Sequence, residues 1–162
     1  MRYFWHKLKY HLGSYRNWSA PHSESHQRLV FVCTGNICRS PFAEFVARNY
    51  GMEAVSIGTD TRGGDDANRD AIKAALRFGL DLSGHRSTRL QDFSALDGDH
   101  FVCMEPKHAE LVSRFIPRAD VSLMGLWLPE RRPFLPDPYG KNMAYFERCF
   151  SWIDRAIAKI HE

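Results

Sequence analysis

The sequence predicts an α/β domain in which a parallel sheet is covered by helices. Short apolar, β-branched segments alternate along the chain with longer amphipathic segments, a pattern typical of parallel strands joined by crossover helices. Glycine, proline and asparagine separate the segments, as expected for the connecting turns. The chain has 162 residues, which at about 100–200 residues per domain corresponds to a single domain.

The predicted elements follow one another in a regular order. The first strand covers residues 28–33 and leads through Gly35 and Asn36, which are turn formers, into a helix over residues 39–50 with Pro41 in its first turn. Four prolines make residues 127–142 irregular. The other predicted elements are strands at 53–57, 101–104 and 121–124 and helices at 66–77, 106–115 and 145–160.

Composition and charge exclude several classes of protein. Hydrophobic residues make up 44% of the chain, which is enough for a core without disulfides or a structural metal. No apolar run approaches the ~20 residues of a membrane-spanning helix. Of the 22 lysines and arginines, four lie in residues 1–23, which hold no acidic residue, and the rest of the chain is near neutral. No nucleic-acid partner is therefore expected.

The four cysteines are too few for the disulfide framework of a secreted protein. The first residues also lack the apolar stretch of a secretory signal. We therefore expect a cytoplasmic protein with free thiols, one of them a candidate for catalysis. No cluster of histidine, cysteine and aspartate has metal-ligand spacing, so neither a metal nor a cofactor is expected.

The segment after the first strand is the most informative in the chain. Five residues separate Cys33 from Arg39, between a predicted strand and a predicted helix. A loop of this length can wrap its backbone N–H groups around a tetrahedral anion, and the helix adds its positive N-terminal end. The guanidinium of Arg39 can donate two parallel hydrogen bonds to the same anion. The predicted phosphate-binding residues are Thr34, Gly35, Asn36, Ile37, Cys38 and Arg39.

The same loop predicts a nucleophile. Its positive field favours the thiolate form of Cys33, and Ser40 is placed to donate a hydrogen bond to that thiolate. Gly35 and Asn36 tolerate the left-handed backbone that a tight anion-binding loop requires. A lone cysteine at a strand end is more often a packing residue, but the residues that follow Cys33 favour catalysis. The full prediction is a doubly wound, four-stranded parallel sheet with helices on both faces, a phosphate-binding loop after the first strand, and a site at the carboxyl ends of the strands.

This segment resembles the loop of the low-molecular-weight protein tyrosine phosphatases, whose pattern is Cys-x-Gly-Asn-x-Cys-Arg-Ser-Pro. The resemblance covers residues 28 to about 160 of the chain. It implies hydrolysis of phosphotyrosine and aryl phosphates through a cysteinyl phosphate on Cys33, with Arg39 as phosphate clamp and Asp137 as general acid and base. It continues in four short segments, at residues 56–59, 81–86, 101–104 and 137–139.

Asp137 lies between two prolines, where most aspartates are simply turn residues. Expelling a phenolate requires a proton donor opposite the nucleophile. The resemblance implies that Asp137 is this donor and that Tyr139 lines the substrate pocket. Gly140 stands where relatives often carry a second aromatic residue, and Arg62 stands at another wall position that is often aromatic. Both departures bear on substrate preference.

The resemblance also assigns supporting roles. Ser56 and His85 would hold the loop asparagine, although without the family His85 would be interpreted as a surface histidine. Ile37 favours phosphotyrosine, because the branch of the family that dephosphorylates arginine carries a threonine there. Cys38, otherwise a packing residue, can form a reversible disulfide with the nucleophile in relatives, which protects it from over-oxidation.

Two alternatives are open at this point. A thiol-linked arsenate reductase shares the fold and loop but relays electrons through two further, closely spaced cysteines, whereas Cys103 and Cys149 are far apart in the sequence. An inactive phosphate-binding regulator would be expected to have lost Cys33, Arg39 or Asp137. The expected partner is a tyrosine-phosphorylated protein, and by analogy with bacterial relatives a tyrosine kinase is one candidate.

The chain divides into a basic, aromatic N-terminal arm, residues 1–27, and the phosphatase-like domain, residues 28–162. On a helix, five apolar side chains of the arm fall on one stripe and the basic residues lie outside it. Such an arm can pack on protein, within the chain or across a dimer, or lie on an anionic membrane; packing on protein is the favoured interpretation. The stripe consists of Phe4, Trp5, Leu8, Leu12 and Tyr15.

Overall fold

The computed structural model describes residues 28–162 and eight positions of the arm, and it contains one parallel sheet. The eight arm positions are Trp5, His6, Leu8, Lys9, Leu12, Gly13, Tyr15 and Trp18. The strands are β1 (Arg28–Cys33), β2 (Ala54–Gly58), β3 (Asp99–Cys103) and β4 (Asp120–Leu123). They lie in the order β2-β1-β3-β4, and every neighbouring pair is parallel. The predicted four-stranded parallel sheet is confirmed.

Helices cover both faces of this sheet, as predicted. Within residues 28–162 the helices are α1 (Arg39–Asn49), α2 (Arg69–Leu76), α3 (Pro106–Phe115) and α4 (Met143–His161). Because successive side chains of a strand point to opposite faces, β1 contributes to two cores. Leu29 and Phe31 pack with α1, α2 and α4, whereas Val30 and Val32 pack with α3. A central strand buried on both faces explains the continuous apolar run of β1.

Capping residues account for the helix starts that differ from prediction. α2 begins at Arg69, three residues later than predicted, because the Asn68 side chain accepts hydrogen bonds from two N–H groups of the first turn. α4 begins at Met143, two residues earlier than predicted, and the Asn142 side chain caps it by accepting a hydrogen bond from the N–H of Tyr145. Asparagine is a strong N-cap, worth about 1 kcal/mol relative to alanine.

Residues 127–142 form no helix or strand, as predicted, but they are anchored to the end of the sheet. The N–H of Leu135 donates to the carbonyl of Met104, directly after β3, at 3.1 Å. The Leu135 side chain is buried in the core beneath. This attachment brings Asp137 to the carboxyl ends of the strands, where β1 delivers Cys33.

The described part of the arm packs on the α3 side of the sheet. Tyr15 is buried among residues of that core, and its hydroxyl lies 2.6 Å from Nδ1 of His6. The His6 ring stacks on Phe134 with 5.1 Å between centroids. Trp5, Leu8 and Leu12 are exposed, so the predicted stripe is divided between core and solvent. Phe4 lies outside the described residues.

Among the helices of the described residues, none is both long and apolar enough to cross a membrane.

Candidate active site

The loop after β1 folds around the sulfur of Cys33. The N–H of Asn36 donates to Cys33 Sγ at 3.3 Å, and Ser40 Oγ lies 3.0 Å from the same sulfur. Asn36 has a φ of +53°, the left-handed conformation that was expected, whereas Gly35 does not have a positive φ. The expectation of left-handed backbone therefore holds for Asn36 and was wrong for Gly35. Polar groups that converge on a sulfur in this way stabilise a thiolate.

Gly58, at the end of β2, allows the loop to approach the sheet closely. A Cβ atom at this position would lie 2.9 Å from the carbonyl oxygen of Thr34 and 3.0 Å from Cβ of Asn36. Any other residue would therefore displace the loop backbone. This role of Gly58 was not predicted from the sequence, although a glycine at the end of a predicted strand indicates a close approach of backbone.

The side chain of Asn36 is fully buried and joins the loop to its surroundings. Its Nδ2 donates to Ser40 Oγ at 2.9 Å and to Ser56 Oγ at 2.8 Å, while its Oδ1 accepts from the N–H of Thr88 at 2.7 Å. Ser56 in turn donates to the carboxylate of Glu44 on α1 at 2.5 Å. Every hydrogen-bonding group of the amide except one lone pair is thus occupied, which fixes the left-handed turn.

His85 holds the same residue through the backbone. Its Nε2 lies 2.7 Å from the carbonyl oxygen of Asn36, and because a carbonyl only accepts, Nε2 donates. Burial lowers the pKa of His85, and the hydrogen bond to Asn36 and the charge of Glu44 oppose that effect. The structure therefore brings both predicted supporting residues, Ser56 and His85, to Asn36.

The lowered pKa of His85 predicts a dependence of stability on pH. In the folded protein the histidine resists protonation, so the unfolded state binds more protons. This stabilisation is fully present above about pH 6.5, the ordinary histidine pKa, and it is lost as the pH falls through the lower folded-state pKa. His85→Gln, which can still donate to a carbonyl, should flatten the decline of unfolding free energy by at most about 1.4 kcal/mol per pH unit. Chemical denaturation across this range measures the slope; a slope equal to that of the parent would contradict the expectation, and exposed His161→Gln is the control.

Arg39 lies beneath the loop with its side chain completely buried. Nη1 donates to Glu105 Oε1 and to the carbonyl of Leu135, both at 2.8 Å, and Nη2 donates to Asp137 Oδ2 at 2.7 Å. Nε has no hydrogen-bond partner among the described residues. Burial acts to lower the pKa of Arg39, but the charges of Asp137, Cys33 and Glu105 raise it by more. The net pKa is therefore above the ordinary arginine value, and the guanidinium stays charged. A buried, charged donor without a partner is suited to an anion.

Cys33 and Asp137 face the same cavity, which has a volume of about 220 Å³. Asp137 Oδ1 accepts from the N–H of Tyr139 at 3.2 Å, which orients the carboxyl group. Tyr139 stands at the rim with 61% of its surface exposed. Arg62 is exposed and does not line the cavity, so its predicted contact with substrate stays a prediction. The lining residues are Cys33, Thr34, Gly35, Ile37, Cys38, Asp137 and Tyr139.

The other three cysteines differ from Cys33 in their surroundings. All four are free thiols and buried. Burial is the largest cause that raises the pKa of Cys38 and of Cys103, and it raises that of Cys149 to about 12. Cys103 and Cys149 are completely buried on different elements, whereas an electron relay needs reachable thiolates. Within the described residues, no group of three or more histidine, cysteine, aspartate or glutamate side chains could hold a metal.

Two buried residues of the site were not predicted from the sequence. Glu105 anchors Arg39, and His108 Nε2 lies 3.0 Å from Thr34 Oγ1 in the loop. Burial and the charges of Arg39 and Lys107 lower the pKa of His108 well below its ordinary value, so its ring is neutral. Glu105 follows β3 by two residues, and the rule that sites lie at the carboxyl ends of parallel strands would have indicated it. His108 gave no comparable signal.

The sequence and the architecture of the chain are both similar to those of known phosphatases. Residues 28–162 match the family model described as low molecular weight phosphotyrosine protein phosphatase. The chain is 33% identical over 132 residues to the low molecular weight protein-tyrosine-phosphatase Etp of Escherichia coli K12, covering 79% of this chain and 88% of Etp.

Two solved structures extend the similarity to three dimensions. The tyrosine phosphatase AmsI of Erwinia amylovora superposes with a TM-score of 0.78 at 28% identity, covering 87% of this chain and 95% of AmsI. Wzb of Vibrio vulnificus, solved in complex with benzylphosphonate, superposes with a TM-score of 0.76 at 29% identity, covering 85% of this chain and 98% of Wzb.

Proposed function

The chain belongs to the low molecular weight phosphotyrosine protein phosphatase family and is a protein tyrosine phosphatase, and we propose that it hydrolyses phosphotyrosine through a cysteinyl phosphate formed on Cys33. The observation that carries this proposal is the cavity of about 220 Å³ that Cys33 and Asp137 share. A nucleophile and a proton donor lining one cavity suit in-line displacement at phosphorus, in which the attacking and leaving atoms lie on opposite sides.

In the first step, the thiolate of Cys33 attacks phosphorus and the bond from phosphorus to the tyrosine oxygen breaks. The proton of the Asp137 carboxyl group goes to the departing oxygen. In the structure, Nη2 of Arg39 donates a hydrogen bond to Asp137 Oδ2 at 2.7 Å. A phosphoryl dianion bound in the loop would compete with Asp137 for that donor. Transfer of Nη2 to the dianion would leave the carboxyl group beside a negative charge, which favours its protonated form.

In the second step, a water molecule attacks the cysteinyl phosphate while Asp137 accepts a proton from it. The bond between sulfur and phosphorus breaks, which releases inorganic phosphate and restores the thiolate. Ser40, with Oγ 3.0 Å from the sulfur, would donate a hydrogen bond to the departing thiolate. Arg39 and the loop N–H groups would stabilise the equatorial oxygens in both steps.

The loop amides act in this scheme because their geometry is fixed in advance. Asn36, held by Ser40, Ser56 and His85, is the residue that sets the turn. We assign Ser56 and His85 positioning roles, since neither lines the cavity. Preorganised donors cost no reorganisation when charge develops at the reacting group.

The substrate of this proposal is a tyrosine-phosphorylated protein, and a bacterial tyrosine kinase is one candidate. Ile37 lines the cavity and presents an apolar surface to an aromatic ring. The proposal also places the enzyme in the cytoplasm, since a thiolate nucleophile needs a reducing compartment.

A panel of substrates tests the proposed function. Peptides of one sequence carrying phosphotyrosine, phosphoserine or phosphoarginine should differ in kcat/KM, with phosphotyrosine preferred. Arsenate with thioredoxin and its reductase should give no enzyme-dependent consumption of reductant. Preference for phosphoarginine, or arsenate reduction at a comparable rate, would contradict the proposal, and no turnover of any phosphorylated substrate would favour a binding protein.

Arg39→Lys should lower kcat/KM by about 10²–10³-fold, the range for loss of an electrostatic contact to the transition state. A lysine keeps the charge but cannot donate two parallel hydrogen bonds. Steady-state kinetics on an aryl phosphate measure the loss, and thermal unfolding separates it from loss of fold. Arg69→Lys, at an exposed position on α2, should change neither. An Arg39→Lys enzyme of parental activity would remove the bidentate contact from the mechanism.

Cys38 is proposed to protect the nucleophile from over-oxidation. Mild peroxide should inactivate the enzyme and a dithiol should restore it, through a disulfide between Cys33 and Cys38. Cys38→Ser should keep the activity and lose most of the recovery. Mass spectrometry of the oxidised parent identifies the pairing. Cys33 bonded to Cys149 instead, or oxidised to the sulfonic acid despite Cys38, would refute this role.

A further inference from the structure

Part of the apolar stripe of the arm faces solvent, away from the catalytic cavity. This exposed part, hereafter the exposed stripe, consists of Trp5, Leu8 and Leu12. Trp5, Leu8 and Leu12 have 58%, 40% and 74% of their surface exposed. At about 100° per residue, these spacings place the three side chains within about 60° of the helix circumference. Residues 5, 6, 8 and 9 are helical, and the N–H of Leu12 donates to the carbonyl of Leu8 at 3.0 Å. The three side chains therefore lie on the same side of the arm.

The opposite side of the arm is already occupied by the domain. His6 stacks on Phe134 and bonds to the Tyr15 hydroxyl, and Tyr15 is buried and stacks on Trp18 with 5.7 Å between ring centroids. These contacts fix which side of the arm faces outward. Exposed apolar side chains elsewhere in the described residues, such as Leu76, Leu96 and Phe115, lie on separate elements, which is ordinary for a protein surface.

The basic charge of the arm distinguishes between two partners that could cover the exposed stripe, a second copy of the chain and a lipid bilayer. Residues 1–23 hold four basic residues and no acidic one, and the described member of that set near the stripe, Lys9, is exposed. Two copies of the arm brought face to face would repel each other, and three side chains fall well short of the roughly 1,200 Å² that a stable protein interface buries. An anionic bilayer attracts the same charges, by about 1 kcal/mol for each lysine or arginine near its surface.

From the exposed stripe and the excess of basic residues in residues 1–23, we infer that the arm binds the surface of an anionic lipid bilayer. Trp5, Leu8 and Leu12 enter the boundary between headgroups and acyl chains, while the exposed Lys9 stays at headgroup level. A tryptophan is well suited to this depth, because its ring is apolar and its N–H can bond to headgroups. The membrane is reached by the arm alone, with the catalytic loop intact on the domain.

Sedimentation of the full chain with vesicles tests this inference. Vesicles of phosphatidylcholine with added phosphatidylglycerol should retain the protein, vesicles of pure phosphatidylcholine should not, and high salt should weaken the binding. The triple variant Trp5→Ala, Leu8→Ala, Leu12→Ala should bind at least about tenfold more weakly, since each large apolar side chain contributes about 1.5 kcal/mol or more. The variant Lys7→Gln, Lys9→Gln should also bind more weakly and with less dependence on salt.

A matched control separates the stripe from general surface hydrophobicity. The variant Leu76→Ala, Leu96→Ala, Phe115→Ala removes side chains of similar exposure from the domain and should bind vesicles as the parent does. All variants should hydrolyse p-nitrophenyl phosphate at the parental rate, which shows that they are folded. Trp5→Phe should lose the blue shift of tryptophan emission that anionic vesicles produce in the parent.

Three results would overturn the inference. The parent could fail to bind anionic vesicles, or the control and the stripe variant could lose binding equally. Sedimentation equilibrium could instead show a dimer that the stripe variant abolishes, which would assign the surface to a second copy of the chain.

Discussion

Cys33→Ser should lower turnover of phosphotyrosyl peptides and of p-nitrophenyl phosphate by more than about 10⁴-fold, in line with the loss of a covalent nucleophile elsewhere. A serine hydroxyl in the same loop is a far weaker nucleophile than a thiolate. The substitution changes sulfur to oxygen and nothing else, so the cavity and the contacts of Asn36 and Ser40 should persist. The fold is checked by thermal unfolding, and binding of a phosphotyrosyl peptide by calorimetry.

Binding without turnover is the informative combination for Cys33→Ser. The phosphate contacts proposed for Arg39 and the loop N–H groups do not need the sulfur, so the variant should still hold the peptide. Cys38→Ser serves as the matched control, because it removes a neighbouring thiol of the same loop and should leave kcat within about twofold. Substantial turnover by Cys33→Ser would contradict covalent catalysis at this residue.

Asp137→Asn should lower kcat by about 10²–10⁴-fold for poor leaving groups, the range for a general acid. The single amide oxygen of asparagine can accept from Arg39 or from the N–H of Tyr139 but not from both, so thermal unfolding is measured to separate loss of the proton donor from loss of the fold. Phenyl phosphate should be affected more than p-nitrophenyl phosphate, because nitrophenolate leaves without much help from a proton. The rate of the variant should therefore depend more steeply on the leaving group than that of the parent.

Asp60 supplies the control for this experiment. Its backbone N–H bonds to the carbonyl of Thr34 at 2.8 Å, but its side chain is exposed and does not line the cavity. Asp60→Asn should leave the rates and their dependence on the leaving group unchanged. An Asp137→Asn enzyme with the same dependence as the parent would show that the proton comes from another group.

The resemblance identified Asp137, Ser56 and His85, but without it the sequence predicts only those residues of the site that lie close together in the chain. The loop could be predicted because its key residues all lie within residues 33–40, so one local conformation brings them together. These residues are Cys33, Asn36, Arg39 and Ser40. Glu105 was missed because its contact with Arg39 spans 66 residues and depends on β3 lying next to β1.

Two further differences between the predicted and the observed structure have local causes. The left-handed residue of the loop is Asn36 alone, since its buried amide is held on both sides and this fixes the turn there. The apolar stripe of the arm was visible in the sequence, but its division between the core and solvent was not. Gly13 has a φ of +78° and turns the chain between Leu12 and Tyr15, which sends one side chain to solvent and the other to the core.

Rapid quenching decides most directly whether the phosphoryl group passes through Cys33. The enzyme is mixed with radiolabelled phosphotyrosyl peptide, quenched in denaturant within one turnover, digested and mapped. Label on the peptide that contains Cys33, formed as fast as tyrosine is released and absent from Cys33→Ser, is the expected result. An active enzyme that carries the label on another residue, or that releases phosphate and tyrosine together without a labelled protein, would contradict a cysteinyl phosphate on Cys33.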